Sequence, residues 1–469
     1  MILPILIAAL TVTMTPDYAG LTVPAEIAPL NFDLNREAKV TLTASDGGRL
    51  EASGRKIRFD EGAWHAFLGG AKGGFYEIRL TADDGTVLLT ATNRVSADPI
   101  DRYLTYRLIP PSYGAFDTMG LYERDLYTAE ERALYETRQT TRGQCVNCHT
   151  TNCGDPETCL FHKRAEDAGT VIASPKYGLF KHQIKRPGGA FGSGTYPAWH
   201  PSGDFIAFSV NETRQSFFLT SPSKIEVADL QSDLVLYSLA DRQVITVEDE
   251  PRTFECFPAW SPDGMTLYSV QAKVGFAIDP TNEMNRTEAV FTDLAKVDAR
   301  TLRYSLVARD FDIAKRTFSA PRTVVDSARI GASVLFPRIT PEGRYAVITL
   351  AAFGVFPIWH REAELAIVDL KTRSLRVASE LNSEESESYH TISSNGRWIV
   401  FSSRRRDGTY TRPYFAHFNP ATAHFSKPFL LPVKNPCEHD RRFLSYNIPE
   451  FAKGPIRYSR SDLRRVSDR

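Results

Sequence analysis

Cys145-Val146-Asn147-Cys148-His149 is the run whose residue types and spacing could do chemistry. It reads C-x-x-C-H, the spacing that attaches a c-type haem: two thiols add to the two vinyl groups of one porphyrin and the next histidine ligates the iron. The residues alone leave three other readings open. Cys153, Cys159 and His162 follow closely, and thiolates with imidazole also suit structural zinc. The same cysteines suit disulfides in an oxidising compartment, or a thiol redox pair, although no βαβ pattern surrounds them. Under the haem reading, one haem c is covalent at Cys145 and Cys148, His149 is the proximal ligand, and His162 is the candidate for the sixth. Met119 and His182 are weaker candidates. Cys153 and Cys159 are then expected to bridge across their short loop, with Cys256 and Cys437 as a more distant pairing.

Several elements must position this run. Ahead of it, Thr128 and Glu131 match a capping box, and Ala129 to Arg138 is made of good helix formers, so a short helix is expected to deliver the chain to Cys145. Farther back, Asp98 to Tyr113 reads as a proline-punctuated connector. From Gly20 to Ser96 short alternating runs such as Val40, Leu42 and Ala44 predict strands. Asp84-Gly85 between two of them predicts a tight hairpin, and the whole suggests a small immunoglobulin-like β-sandwich.

Beyond the run lies an internal repeat. Its copies are Tyr196-Pro-Ala-Trp-His-Pro-Ser-Gly203, Phe257-Pro-Ala-Trp-Ser-Pro-Asp-Gly264, Phe336-Pro-Arg-Ile-Thr-Pro-Glu-Gly343 and Tyr389-His-Thr-Ile-Ser-Ser-Asn-Gly396. Each pairs a turn with a following apolar strand, and a period of some tens of residues means stacked supersecondary units. Four antiparallel strands per unit make a propeller blade. The four opening aromatics should cluster near one mouth of a central channel. Trp199 and Trp260 should pack between neighbouring sheets. His200, His360 and His390 lie close to the repeats and read first as structural histidines.

These repeats resemble the TolB-like β-propeller repeats of bacterial envelope proteins, most closely at Phe257 to Gly264. The whole chain resembles a group of Gram-negative envelope proteins that join a short β domain, one C-x-x-C-H site and such a propeller. The carrying stretches include Tyr103-Leu-Thr-Tyr-Arg107, Cys145 to His149, Phe356-Pro-Ile-Trp-His360 and Ser445-Tyr-Asn-Ile-Pro-Glu-Phe451. That resemblance implies an exported haem protein and supplies no substrate.

Composition bounds the rest. The 469 residues are 42% hydrophobic and 24% charged, with 56 basic and 56 acidic side chains. Zero net charge argues against nucleic acid as a partner. Met1 to Leu10 is apolar but too short to span a bilayer, and it has the length of a signal-peptide core. The expected organisation is therefore a leader over 1–19, the sandwich over 20–97, a connector and haem segment over 98–172, a propeller, with six blades expected, over 173–456, and a solvated basic tail over 457–469. The fold class is mainly β. The expected function is an exported, periplasmic monohaem cytochrome in electron transfer or redox sensing, with a redox partner or an envelope protein docking on the propeller face. The rivals are a haem-dependent oxidoreductase with substrate at the propeller mouth, and a protein-binding scaffold with an auxiliary haem.

Overall fold

The computed structural model describes residues 12–110, 118–137, 145–164, 168–188, 193–218, 224–248, 250, 252–274 and 301–467. Among these, the strands fall into a six-stranded sheet near the N-terminus and six sheets of four or five strands each. The second group is propeller-like. Its innermost strands run in chain order as β1 (Cys145–Asn152), β2 (Ser193–Trp199), β3 (Thr253–Trp260), β4 (Ser333–Ile339), β5 (Glu387–Ile392) and β6 (Ser445–Ala452). Each begins its own antiparallel sheet, each touches the next around an axis, and β6 touches β1.

One backbone device repeats in all six inner strands. The ladder skips between Asn147 and Thr150, Thr195 and Ala198, Cys256 and Ala259, Leu335 and Arg338, Ser388 and Thr391, and Asn447 and Glu450. Two residues there oppose one, which is a β-bulge. The first bulge residue always has positive φ: Cys148 at 51°, Tyr196 at 47°, Phe257 at 51°, Phe336 at 49°, Tyr389 at 44° and Ile448 at 50°. For a side chain this bulky, such a conformation costs about 1–2 kcal/mol, so the surrounding packing must impose it. The second residue is proline at 197, 258, 337 and 449. Off the ladder, a missing N–H forfeits no hydrogen bond, so proline is tolerated at the bulge of each of these edge strands.

After four of the bulges, the expected turns close the innermost hairpins. Gly203, Gly264, Gly343 and Gly396 all have φ between 69° and 75° and donate their N–H groups to the carbonyls of His200, Ser261, Thr340 and Ser393. Trp199 and Trp260 pack between neighbouring sheets, as the repeat predicts. Trp199 lies with Leu160 and Ile172 of one sheet and Ile206 and Phe208 of the next. Trp260 lies against Ala198, Phe205 and Phe311 and donates its indole N–H to the Ala198 carbonyl at 3.1 Å.

Several expectations are corrected. The propeller-like ring does not start at 173. Residues 98–172 are not a separate connector and haem segment, because Tyr103–Ile109 and Gly120–Asp125 are strands of the sheet that β6 opens, and β1 opens the next sheet. The capping-box helix is instead a strand, Glu131–Glu136. Glu131 is drawn into the sheet by Arg124 and Arg442, at 2.9 and 2.7 Å, and by the Tyr106 hydroxyl, so tertiary partners override local helix propensity. The expected basic tail is a docked helix, Arg460–Ser467. Leu463 is buried, and the Ser467 carbonyl accepts from Lys163 and Lys181 at 2.9 and 2.8 Å.

The leader expectation over 1–11 lies outside the described residues. Val12–Ala19 belongs to the folded domain: Met14 and Thr15 pair with Leu34 and Asp33, and buried Tyr18 donates to the Leu430 carbonyl. The N-terminal sheet does not establish an immunoglobulin-like sandwich. All its strands belong to one hydrogen-bonded sheet, with Arg49–Ile57 branching off the path to pair with Phe32–Ala44, and helix α1 (Glu61–Gly70) buries Trp64, Phe67 and Leu68 beneath it. The expected Asp84-Gly85 hairpin is present, with Gly85 at φ 85° between strands Phe75–Thr81 and Val87–Ser96.

Candidate functional site: the axial channel

The six bulges surround the axis and narrow it to a waist. Tyr196 meets Phe257 at 4.5 Å between ring centroids, Phe257 meets Phe336 at 3.9 Å, and Phe336 meets Tyr389 at 4.4 Å. The opening aromatics of the repeats thus do cluster, but at the waist rather than at a mouth. Cys148 and Ile448 complete the layer, and the space beside them holds only about 40 Å³. Toward the start of the inner strands the channel widens into a cavity of about 520 Å³. Toward their ends it widens into a second, of about 280 Å³, beside Trp199 and Trp260.

The C-x-x-C-H run is therefore the inner strand of a blade. Cys148 and His149 are its bulge, in the places that Tyr389 and His390 occupy on β5. Two copies of the repeat escaped the sequence reading: Cys148-His-Thr-Thr-Asn-Cys-Gly154 and Ile448-Pro-Glu-Phe-Ala-Lys-Gly454. The signal available was the His or Pro that forms the second bulge residue and a glycine five residues beyond it, one fewer than in the other four copies.

The waist is electrically quiet. Burial, helped by Arg107, holds His149 down to about 4 against the carbonyls of Thr105 and Ile448. Burial likewise holds His390 down to about 3, and its Nε2 meets the Val347 carbonyl at 2.8 Å. Both imidazoles are neutral at pH 7. The Thr105 and Ile448 carbonyls lie near the ring, but neither ring nitrogen of His149 makes a well-formed hydrogen bond with a described residue. Glu450, raised by burial, pairs with Arg338 at 3.1 Å.

A porphyrin does not fit these residues as folded. Cys145 borders the large cavity, whereas buried Cys148 and His149 border the waist. An iron ligated by His149 would need a macrocycle where only about 40 Å³ is open.

His162 is not placed as a sixth ligand. It sits on the adjacent strand, opposite Asn147, with Nδ1 at 3.2 Å from Thr170 and Nε2 at 3.1 Å from Ser193. Met119 is buried between sheets, and His182 stacks on Tyr237.

The expected disulfides are absent: all six cysteines are thiols. Cys153 is exposed in a turn, while Cys159 lies on the returning strand opposite Thr151 and packs into an inter-sheet core, where burial pushes its thiol up to about 12. Cys256 is buried on β3 beside Asn211, and Cys437 stands at the start of a helical turn. Among the described residues no group of three metal-ligating side chains gathers.

His200 and His360 are tied into the repeats by their partners. His200 spans Ser202 and the Gly264 carbonyl of the next repeat. His360 pairs with Glu226 at 2.7 Å and Glu362 at 3.2 Å, which outweigh its burial and raise it to about 9. Glu226 lies on the long hairpin Phe205–Phe217 and Ile225–Ser238, whose outer half walls the larger cavity.

No family model matches the chain, and no curated protein matches it. Solved structures do. TolB from Acinetobacter baumannii aligns at 13% identity and a TM-score of 0.45, covering 94% of this chain and 99% of that one. A putative TolB from Agrobacterium tumefaciens aligns at 11% and 0.38, covering 74% and 98%. An oligogalacturonate lyase in complex with manganese aligns at 11% and 0.38, covering 70% and 73%.

Proposed function

We propose that this chain is an exported, periplasmic six-bladed propeller that works as a binding module, receiving its ligand in the larger channel mouth. One observation carries the reading. A cavity of about 520 Å³ ends at the aromatic waist and is lined by hydrogen-bonding side chains from several sheets, among them Asn147, Ser193, Thr195, Asn211 and Asn447. That volume falls within the ~300–1,000 Å³ of small-molecule sites, and a few polar groups set against apolar walls is their usual make-up. The six-blade count is supported by the sequence of inner strands around the axis. Export is supported by the apolar run that precedes the folded domain.

The test is a ligand-observed NMR screen of mixed small molecules against wild type and Thr213→Trp, a change on the hairpin wall that fills the mouth. Hits that vanish in the variant support the reading. Hits that persist unchanged place binding elsewhere and end it.

A haem-bearing electron carrier is the second reading, favoured by one observation: both His149 nitrogens are buried and unpartnered, as those of a ligand waiting for iron would be. It requires β1 to leave its bulge. Protein made with the c-type maturation machinery and examined as a pyridine haemochrome decides. A covalent adduct at Cys145 and Cys148 would replace the first reading, and an unmodified intact mass would retire the second.

A further inference from the structure

Resting on the reading of the mouth as a binding site, we infer that its ligand carries a carboxylate, held by Arg107 and Arg164. Arg107 is only 4% exposed, yet its hydrogen-bond partners are neutral: the Val146 carbonyl at 3.0 Å and Asn447 Oδ1 at 2.8 Å. Its Nε is buried without a partner. Two other deeply buried arginines have counter-charges: Arg124 meets Glu131 and Glu438, and Arg309 meets Glu248 at 2.6 Å. Arg412 resembles Arg107 in having only neutral partners, four backbone carbonyls, and an unpartnered Nε, but it is not among the residues that line the cavity. A buried guanidinium without a counter-charge is costly, and Arg107 stands at the cavity wall, where a ligand can supply one.

Arg164 lines the same cavity; its backbone pairs with Cys145 in the sheet, while its guanidinium makes no hydrogen bond or ion pair with a described residue. Arg107 and Arg164 thus bring two positive charges to the wall of one cavity. The planar guanidinium fork matches a carboxylate in two-point geometry. Of the described lining side chains Glu212 is the one acid, and it stands on the hairpin wall. Asp229, farther back, is held by Asn211 and Tyr304. Ile225, Val227, Phe356 and Ile448 supply apolar wall beside the polar groups. A carboxylate attached to an apolar body therefore matches the cavity, whether as a free organic acid or as the C-terminal residue of a peptide.

The experiment is calorimetric titration of the full chain with N-acetylphenylalanine, its amide, and a hexapeptide ending in phenylalanine with a free or amidated C-terminus. Binding of an acid form at least tenfold tighter than its amide is the expected result, weakening with salt and falling at least tenfold in Arg164→Gln at an unchanged melting temperature. Arg107→Lys keeps the charge without the fork and should weaken binding severalfold. Tight binding of the small acid identifies a free acid as the source, and binding of the peptide acid alone identifies a chain end. Amides that bind as well as acids, or affinity indifferent to Arg164→Gln, would overturn the carboxylate. If amide binding is lost in Thr213→Trp, the mouth remains a binding site and only the charge inference falls. If Thr213→Trp leaves all binding intact, the mouth reading falls with it.

Discussion

β1 and β3 are the same structural object built from different chemistry. In both, a bulge with left-handed φ faces the axis and a glycine turn follows. On β3 the bulge is Phe257-Pro258 and the strand ends on Trp260. On β1 the bulge is Cys148-His149, and Thr151 stands where the tryptophan would. The difference teaches that a five-residue motif does not carry its own geometry. Cys145 to His149 has the spacing that would tether a porphyrin, but a strand with a bulge sends one thiol to the mouth and holds the imidazole in the waist.

The comparison breaks most sharply at the tryptophan. Trp260→Ala should cost about 3–5 kcal/mol, because it empties the wedge between two sheets, while Thr151→Ala should stay within about 0.5 kcal/mol. Chemical denaturation of both variants checks this, and similar losses would mean that β1 has an inter-sheet wedge of its own.

The glycine turns come next. A Cβ on Gly264 would lie 2.3 Å from His200 Nε2, whereas one on Gly154 would find nothing nearer than Lys453 at 3.5 Å. Gly154→Ala should therefore cost about 1–2 kcal/mol of left-handed strain. Gly264→Ala should cost about 1 kcal/mol more, because it also disrupts the histidine contact. Equal midpoint shifts would show that His200 does not brace the neighbouring repeat.

The smallest effect separates the two bulge histidines. His390→Leu gives up a hydrogen bond to Val347 and should lose about 1 kcal/mol. His149→Leu removes two unpartnered nitrogens and should be neutral or slightly stabilising, as read from paired thermal melts. A large loss at His149 would mean that the imidazole has a partner that only the working protein supplies.

Legibility in the sequence followed the backbone's demands. Where a bulge took an aromatic and a proline, and a turn took Pro and Gly, the repeat could be read at Tyr196, Phe257 and Phe336, and the inter-sheet places of Trp199 and Trp260 came with it. Where the bulge took Cys-His, its residues announced another chemistry, and β1 was not recognised as a blade strand. Glu131 could not be read either, because what makes its segment a strand is Arg124 and Arg442, the latter 311 residues away. The charge imbalance at Arg107 and Arg164 was invisible for the same reason: Val146 and Asn447 reach Arg107 from 39 and 340 residues along the chain.

The pairing of β6 with Tyr103–Ile109 sets an order on synthesis. Thr105 waits for Glu450, 345 residues downstream. Until the last strand emerges, Tyr103–Ile109 presents one edge with no neighbour, a template on which another chain can add. So long-range a contact is also slow to form. Tyr446 and Phe451 share a core with Trp64 and Val40 of the N-terminal domain, so that domain too lacks part of its packing until the end. A chain truncated before Ser445 should thus fail as a whole, aggregating through that open edge rather than surviving as a ring one strand short.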